Sequence, residues 1–336
     1  MNLATYVMRR LLLMAVVVLG VLVITFVVSH VIPADPVGAI LGQNAPPDKI
    51  ADLRRQLGLD KPLSQQFADF MLGVVRGDLG TSLRTGRPVW RDIRQFFPAT
   101  LELAVAAIIL AVVIGLPLGI ISAVTRNRWP DHFARLFSII GVSQPVFWTG
   151  LLLLLLLYYR VGLLPGPGRL DITVLPPEPR TGLLLVDSLL SANREAFWNA
   201  LAHLVMPALV LGYAATATIA RISRSGMLDV LLQDYIRTAR AKGLTERVVL
   251  LRHALRNAII PTVTIIGLVF GGLLEGAVLT ETIFAWPGLG RYITQGYIAL
   301  DYPAVMGATL YIAVVYSLVN LVVDIGYAAL DPRMRV

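Results

Sequence analysis

An all-α, polytopic membrane protein is the fold class this sequence predicts, and three observations predict it. The 336 residues are 56% hydrophobic and only 15% charged, where soluble domains carry roughly a quarter charged residues. Six segments each supply the roughly 20 mostly apolar residues that a helix needs to cross a bilayer. The basic residues gather in alternate loops between those segments. The absence of cysteine excludes a disulfide-stapled domain and a thiolate metal site. The formal charge of +8 is placed by the loops and needs no nucleic acid to explain it.

The first predicted span is Leu11–Val31, behind Arg9 and Arg10. Its apolar stretch exceeds the roughly 7–15 residues of a signal-peptide core, and no small-x-small site precedes Ser29, so it reads as an uncleaved span. In the long loop His30–Pro98, Asp48 is expected to cap a short helix presenting Ile50, Leu53 and Leu57. Pro62 is expected to open a second helix, with Leu63, Phe67, Phe70, Met71 and Val74 as its apolar side. The expected product is a small folded cap. Span two is Ala99–Val124, and span three is Phe133–Tyr159 with the unbroken run Leu151–Leu157. Gly162–Arg194, rich in Pro and Gly, reads as an irregular loop. Spans four, five and six are Phe197–Ala220, Ala258–Ile283 and Tyr302–Ala328. The last two are diluted by Gly, Thr and Tyr, as in helices packed on protein or lining a path. The chain thus divides into residues 1–98, a first span with its loop, and residues 99–336, a five-span core.

Orientation follows from the short loops. Arg126, Arg128 and Arg135, the segment Arg221–Arg256, and Arg333 with Arg335 all fall on the side of Arg9 and Arg10. Lys and Arg stay inside, so that side and both termini are expected in the cytoplasm. The opposing short loop Phe284–Asp301 holds Arg291 alone. His30–Pro98 carries nine basic and seven acidic residues, but loops of this length translocate largely regardless of charge.

The residues for several chemistries are missing. The only lysines are Lys49, Lys61 and Lys242, and none stands in a phosphate-cradling loop. If ATP drives this protein, another polypeptide binds it. His30, His132, His203 and His253 are scattered, with no metal-ligand spacing and no nucleophile turn. No catalytic residue, metal site or cofactor is expected in this chain.

Polar groups inside the spans are the candidates for function, because they are costly there. Gln144-Pro145 interrupts span three beside Ser143 and Ser138, and a proline there frees a backbone carbonyl. A simple kink and a path-lining role for Ser143 and Gln144 both remain open. Glu275 lies in span five among Gly267, Gly271, Gly272 and Gly276. A carboxylate at that depth faces a wet cavity or a partner, or else snorkels or packs protonated. Glu102, Glu281 and Asp324 stand nearer span ends and are expected at the interface. The pairs Gly267/Gly271 and Gly272/Gly276 have the spacing of tight helix packing.

The loop between spans four and five is too long for a mere connector. Ile222, Met227, Leu228, Val230, Leu231 and Ile236 recur before it at helical spacing, and Val248, Leu251, Leu255 and Ile259 recur after it. Gly243 sits between the two patterns. A protruding helix–Gly–helix turn (about residues 222–257) satisfies the spacing, and so does an amphipathic pair lying on anionic lipid.

At this loop the residues become specific. Asp234-Tyr-Ile-Arg-Thr-Ala-Arg-Ala-Lys-Gly243-Leu, followed by His253-Ala-Leu-Arg-Asn-Ala, resembles the EAA loop of binding-protein-dependent ABC importer permeases. Arg237, Thr238 and Arg256 depart from the general consensus in the manner of the dipeptide/oligopeptide/nickel branch. His30–Pro36, Leu57–Pro62, Gly77–Gly80, Leu279–Arg291, Asp301–Pro303 and Asp331–Arg333 carry the resemblance over nearly the whole chain. The resemblance implies a type I importer transmembrane domain in a bacterial inner membrane, acting as a permease subunit for dipeptides or other short peptides. Its implied partners are a second homologous permease in a heterodimer, two cytoplasmic ATPases that hold ATP and Mg, and an extracytoplasmic substrate-binding protein. The implied ATPase-coupling residues are Thr238, Ala239, Arg240, Ala241, Lys242, Gly243 and Leu244, and the resemblance favours the protruding turn over the lipid-surface pair. Nickel chelate, glutathione or haem is the alternative cargo of the same architecture. A stand-alone secondary transporter would need intramembrane ion sites and repeat symmetry, and neither is found.

Overall fold

The computed structural model describes residues 3–31, 36–42 and 46–330. The described residues are helical apart from loops and one isolated bridge, Thr81 to Pro88. Parts of the stretches His30–Pro36 and all of Asp331–Arg333 lie outside them, as do Arg333 and Arg335. Five helices are long and apolar enough to span a membrane, and a sixth candidate is a bent pair. The chain is a multi-pass membrane protein.

Helix α1 (Leu3–Val31) is followed in the chain by α2 (Pro36–Leu41), α3 (Pro47–Gln56) and α4 (Leu63–Val75). Asp48 does not cap α3: Pro46 holds the cap position with no side-chain bond, and Asp48 lies in the first turn, favourably near the helix's positive end. Pro62 stands one residue before α4, as its cap. The apolar side of α4 meets α1, with the Phe26 and Phe67 rings edge to face at 5.1 Å.

Span two is α5 (Val89–Val124), which begins ten residues ahead of the expected Ala99 and runs through Pro98. Its main neighbour is α9 (Arg194–Leu231), 38 residues and therefore about 57 Å long, well beyond a hydrocarbon core of about 30 Å. The two approach through small residues. A Cβ added to Gly212 would stand 2.7 Å from the Ala107 carbonyl oxygen, and Ala104, Ala107, Ala111 and Ala215 are buried along the seam. Close backbone approach of this kind replaces the hydrophobic effect as the packing force inside a membrane.

Span three is not one helix. Helix α6 (Trp129–Ser143) and α7 (Val146–Leu153, continuing π-helically through Leu154–Arg160) meet at 106°. Gln144 and Pro145 are extended, with ψ of 133° and 132°, so the break removes the ladder instead of bending it. The expectation of a continuous third span is thereby corrected. The loop that follows is irregular, as expected, except for α8 (Leu184–Leu190). Asp187 anchors α8. Burial pushes its carboxyl up, but the backbone N–H groups of Thr181, Gly182 and Arg180 and the Thr181 hydroxyl outweigh this and hold it below its ordinary value.

Beyond α9 come α10 (Asp234–Ala241), α11 (Glu246–Val248) and, through a π-helical turn, α12 (Leu255–Ile283). Helices α13 (Leu289–Ile298) and α14 (Tyr302–Leu330) complete the bundle. Asp324 of α14 pairs with Arg10 of α1 at 3.0 Å, tying the first and last helices at the basic end. The two glycine pairs of α12 part company. Gly267 and Gly271 abut Val323 and Tyr316 of α14, while nothing stands within 4 Å of a Cβ on Gly272.

Candidate functional site: a basic-end turn and a broken span

The turn after α9 is built from the sequence upward. In α10, Ile236 and Ala239 fall on one face and are buried with Met227, Val249, Ala254 and Ala258. The opposite face is polar and exposed. Helix α10 ends because Gly243 takes φ +76°, a left-handed conformation that costs a side chain-bearing residue but not glycine. Its N–H donates to the Arg240 carbonyl at 2.9 Å, and the Lys242 N–H donates to Thr238 at 3.0 Å. No neighbour lies within 4 Å of a Cβ on Gly243, so the requirement is one of φ and not of space.

Across the turn, Arg240 donates to both carboxylate oxygens of Glu246, at 2.7 and 3.1 Å. This hydrogen bond holds the Arg240 guanidinium above its ordinary value, so the clasp stays charged. Asn257 of α12 donates to the Tyr235 hydroxyl at 2.8 Å and fixes α10 from its other side. Thr238, Arg240, Ala241, Lys242, Gly243 and Leu244 therefore face outward, and Ala239 alone of the seven expected coupling residues is buried. The arrangement is a docked, basic knuckle whose outer face is exposed among the described residues.

The three expected path residues fall in two places. Ser143 is exposed at the end of α6 and lines a cavity of about 510 Å³ between α6 and α9. Gln144 is half-buried at the break and accepts a long bond, 3.4 Å, from the Thr149 hydroxyl. Glu275 is exposed on the open face of α12 beside Gly272 and Gly276, with no hydrogen bond or ion pair among the described residues.

Two buried polar knots escaped the sequence reading. At the basic end, Asp131 is fully buried and accepts from Arg224 at 2.8 and 3.1 Å, from the Ser122 hydroxyl at 2.7 Å and from the Asn127 N–H at 2.9 Å. At the other end, Glu281, expected near the membrane interface, is fully buried within the protein. It accepts from the Thr100 hydroxyl at 2.5 Å and the Arg291 N–H at 2.9 Å. Glu102, likewise expected at the interface, is buried against Arg169 and accepts from the Leu185 N–H at 2.7 Å. Trp286 closes the layer, donating from Nε1 to the Ala99 carbonyl at 2.8 Å under the Arg169 guanidinium. A carboxylate within a turn of a span end, followed by a Trp-Pro-Gly turn, was the available signal. The partners lie too far away in sequence for spacing to show them.

Comparison with known proteins gives the family and the fold. Residues 115–336 match the binding-protein-dependent transport system inner membrane component, and residues 3–104 match the N-terminal region of such membrane components. The chain is 52% identical over 321 residues to a probable D,D-dipeptide transport system permease protein, DdpB, of Escherichia coli K12, covering 96% of this chain and 94% of that protein. It is 45% identical over 333 residues to the dipeptide transport system permease protein DppB of the same strain, covering 98% of each. A glutathione transport system permease protein, GsiC, of Salmonella typhimurium LT2 is 41% identical over 330 residues, again 98% of each chain. Among solved structures, an inward-facing MetNI methionine ABC transporter aligns with TM-score 0.51 at 20% identity, over 69% of this chain and 93% of that one, which speaks to the fold.

Proposed function

This chain belongs to the family of binding-protein-dependent transport system inner membrane components, and on that premise we propose that it forms one half of an ATP-driven importer of short peptides. It is an ABC importer permease, and the family implies ATPase and binding-protein partners in general. The finer reading is a heterodimer with a second homologous permease, served by two ATPases on the cytoplasmic face of a bacterial inner membrane. ATP and Mg belong to those ATPases, and this chain moves without catalysing. The names of the relatives favour dipeptides as cargo over glutathione.

The observation that carries the reading is the outward face of the Gly243 turn. A rigid, basic, helix-flanked knuckle rooted in the core by Ile236 and Ala239 is what a separate motor can grip. Closure of that motor shifts the permease between two states only through different affinity for them. The open stripe of α12 around Glu275 and the break at Ser143–Gln144 are the parts of this half offered to the path.

The test uses the complete importer in proteoliposomes. Proline cannot adopt φ +76°, so Gly243→Pro breaks the turn locally. We expect normal membrane levels and basal ATP hydrolysis, with dipeptide uptake reduced to background. Wild-type uptake by the variant would overturn the coupling role. Uptake of glutathione in preference to dipeptides by the wild-type complex would overturn the cargo.

A further inference from the structure

The cavity between α6 and α9 has a charge imbalance that the fold leaves unresolved. Its volume, about 510 Å³, falls in the range of about 300–1,000 Å³ usual for small-ligand pockets. Its polar lining includes Arg135, Arg221 and Arg224 with Ser138, Ser143 and Ser225. The acid beside it is Asp131, and Arg224 takes both oxygens of that carboxylate. Arg135 stands farther from Asp131, at 3.6 Å, and also contacts His132 Nδ1 at 2.8 Å. Arg221 has no hydrogen bond or ion pair among the described residues, and neither Ser143 nor Ser225 has a hydrogen-bonding partner there. Arg221, Ser143 and Ser225 are all exposed, so the unpaired guanidinium and the two hydroxyls are open to an anion that enters the cavity from the basic end.

We propose that Arg221 binds the terminal carboxylate of the travelling peptide in this cavity, a reading that rests on the peptide-import function above. Three features select a carboxylate. The guanidinium fork matches its two oxygens. The larger apolar side chains in the lining are Ile139 and Val142 only, too few to seat acyl chains, so a lipid phosphate fits less well. The cavity also includes Ser143 at the break of span three, and Arg221 continues a stripe of α9 through Thr218 and Ala214. That stripe leads toward Leu211, which Gly276 of α12 approaches. Ten residues of helix place Arg221 about 15 Å along α9 from that level. An acid, Glu275, thus stands toward one end of the stripe and a free cation toward the other, the order in which a zwitterion meets them amine first or carboxylate last.

The test measures equilibrium binding to the nucleotide-free permease–ATPase complex in detergent, with the binding protein omitted, using a labelled dipeptide and its C-terminal amide. Arg221→Gln weakens dipeptide binding by roughly tenfold or more, the loss expected for a charge-assisted bond, and leaves the amide unchanged. Arg221→Lys restores part of the affinity. Equal dipeptide binding by wild type and Arg221→Gln overturns the proposal. So does loss of phosphatidylglycerol retention in Arg221→Gln with peptide binding intact, which would mark a headgroup site. If wild type imports dipeptide in proteoliposomes and Arg221→Gln imports it equally well, only the Arg221 assignment falls. If the wild-type importer hydrolyses ATP but moves no peptide, the peptide reading falls and takes this one with it.

Discussion

Both ends of the bundle hold a buried polar knot, Asp131 with Arg224 at one and Glu281 with Thr100 at the other, but they differ in what they leave exposed. At the end away from the termini, Thr100, Glu281, Trp286 and Leu289 are each at most 1% exposed, and every contact they make is internal. At the basic end, six residues of the Gly243 turn face outward, and a basic cavity opens between α6 and α9. The difference teaches where rigidity is needed. A moving wall driven from one end must keep its helices in register at the other, because close-packed interiors pass displacement on instead of absorbing it. The buried knot joins α5, α12 and α13 with the loop before α9 through hydrogen bonds. The knuckle is rooted by a small apolar patch and otherwise stays available.

The strongest way to break the comparison is to empty the closed end. Trp286 is among the largest fully buried side chains and makes a hydrogen bond besides. Trp286→Ala is expected to cost about 3–5 kcal/mol, the usual range for a large buried aromatic. A lowered thermal midpoint in detergent, with poor accumulation in membranes, is the expected result. An unchanged midpoint would mean that the end layer is not what holds the helices together.

A smaller lesion sharpens the same point by adding atoms. A Cβ on Gly288 would run into the Glu281 carboxylate, which Thr100 and Arg291 already fix in place. Gly288→Ala is expected to cost about 1–3 kcal/mol, as overpacking does. If the cause is the collision, Glu281→Ala in the same background relieves part of the loss despite forfeiting its hydrogen bonds. Purely additive losses in the double variant would place the role of Gly288 in its backbone alone.

What could be read in advance follows from the range of the forces. Hydropathy places the spans because burial in lipid is a sum over neighbours in sequence, and five of the six run as single helices. Gly243 was legible for a similar reason: two helical periodicities end on it, and a left-handed residue is a local demand. The 106° break was only half legible. Pro145 announced a disturbance, but the choice between kink and full break depends on what α7 packs against, namely Ile283 and Phe284, more than 130 residues away. Glu102 and Glu281 were read as interfacial because their depth is visible in sequence and their partners are not. The same limit hid the Asp131–Arg224 pair and, with it, the solitary state of Arg221. The two glycine pairs of α12 were indistinguishable by spacing, and only the position of α14 shows that one is packed and the other open.

The smallest expected effect on stability lies at the knuckle, and that is where the comparison is most exposed. Arg240 and Glu246 form a bidentate pair, but their side chains are 43% and 53% exposed. Exposed pairs contribute about 0–1 kcal/mol, and solvent screening puts this one toward the low end. Arg240→Ala should therefore leave the thermal midpoint within error of wild type. The clasp nevertheless bridges α10 and α11 across the turn, so the same variant should import dipeptide more slowly while its ATPases still turn over. Rescue by Arg240→Lys should be partial, because an ammonium cannot reproduce the two-pronged grip. A fall in midpoint comparable to that of Trp286→Ala would show that the turn helps hold the fold together and that the division between the two ends is wrong. Unchanged stability with unchanged import would leave the clasp without a role and shift the coupling contact to Lys242 and Leu244, the exposed residues that flank Gly243.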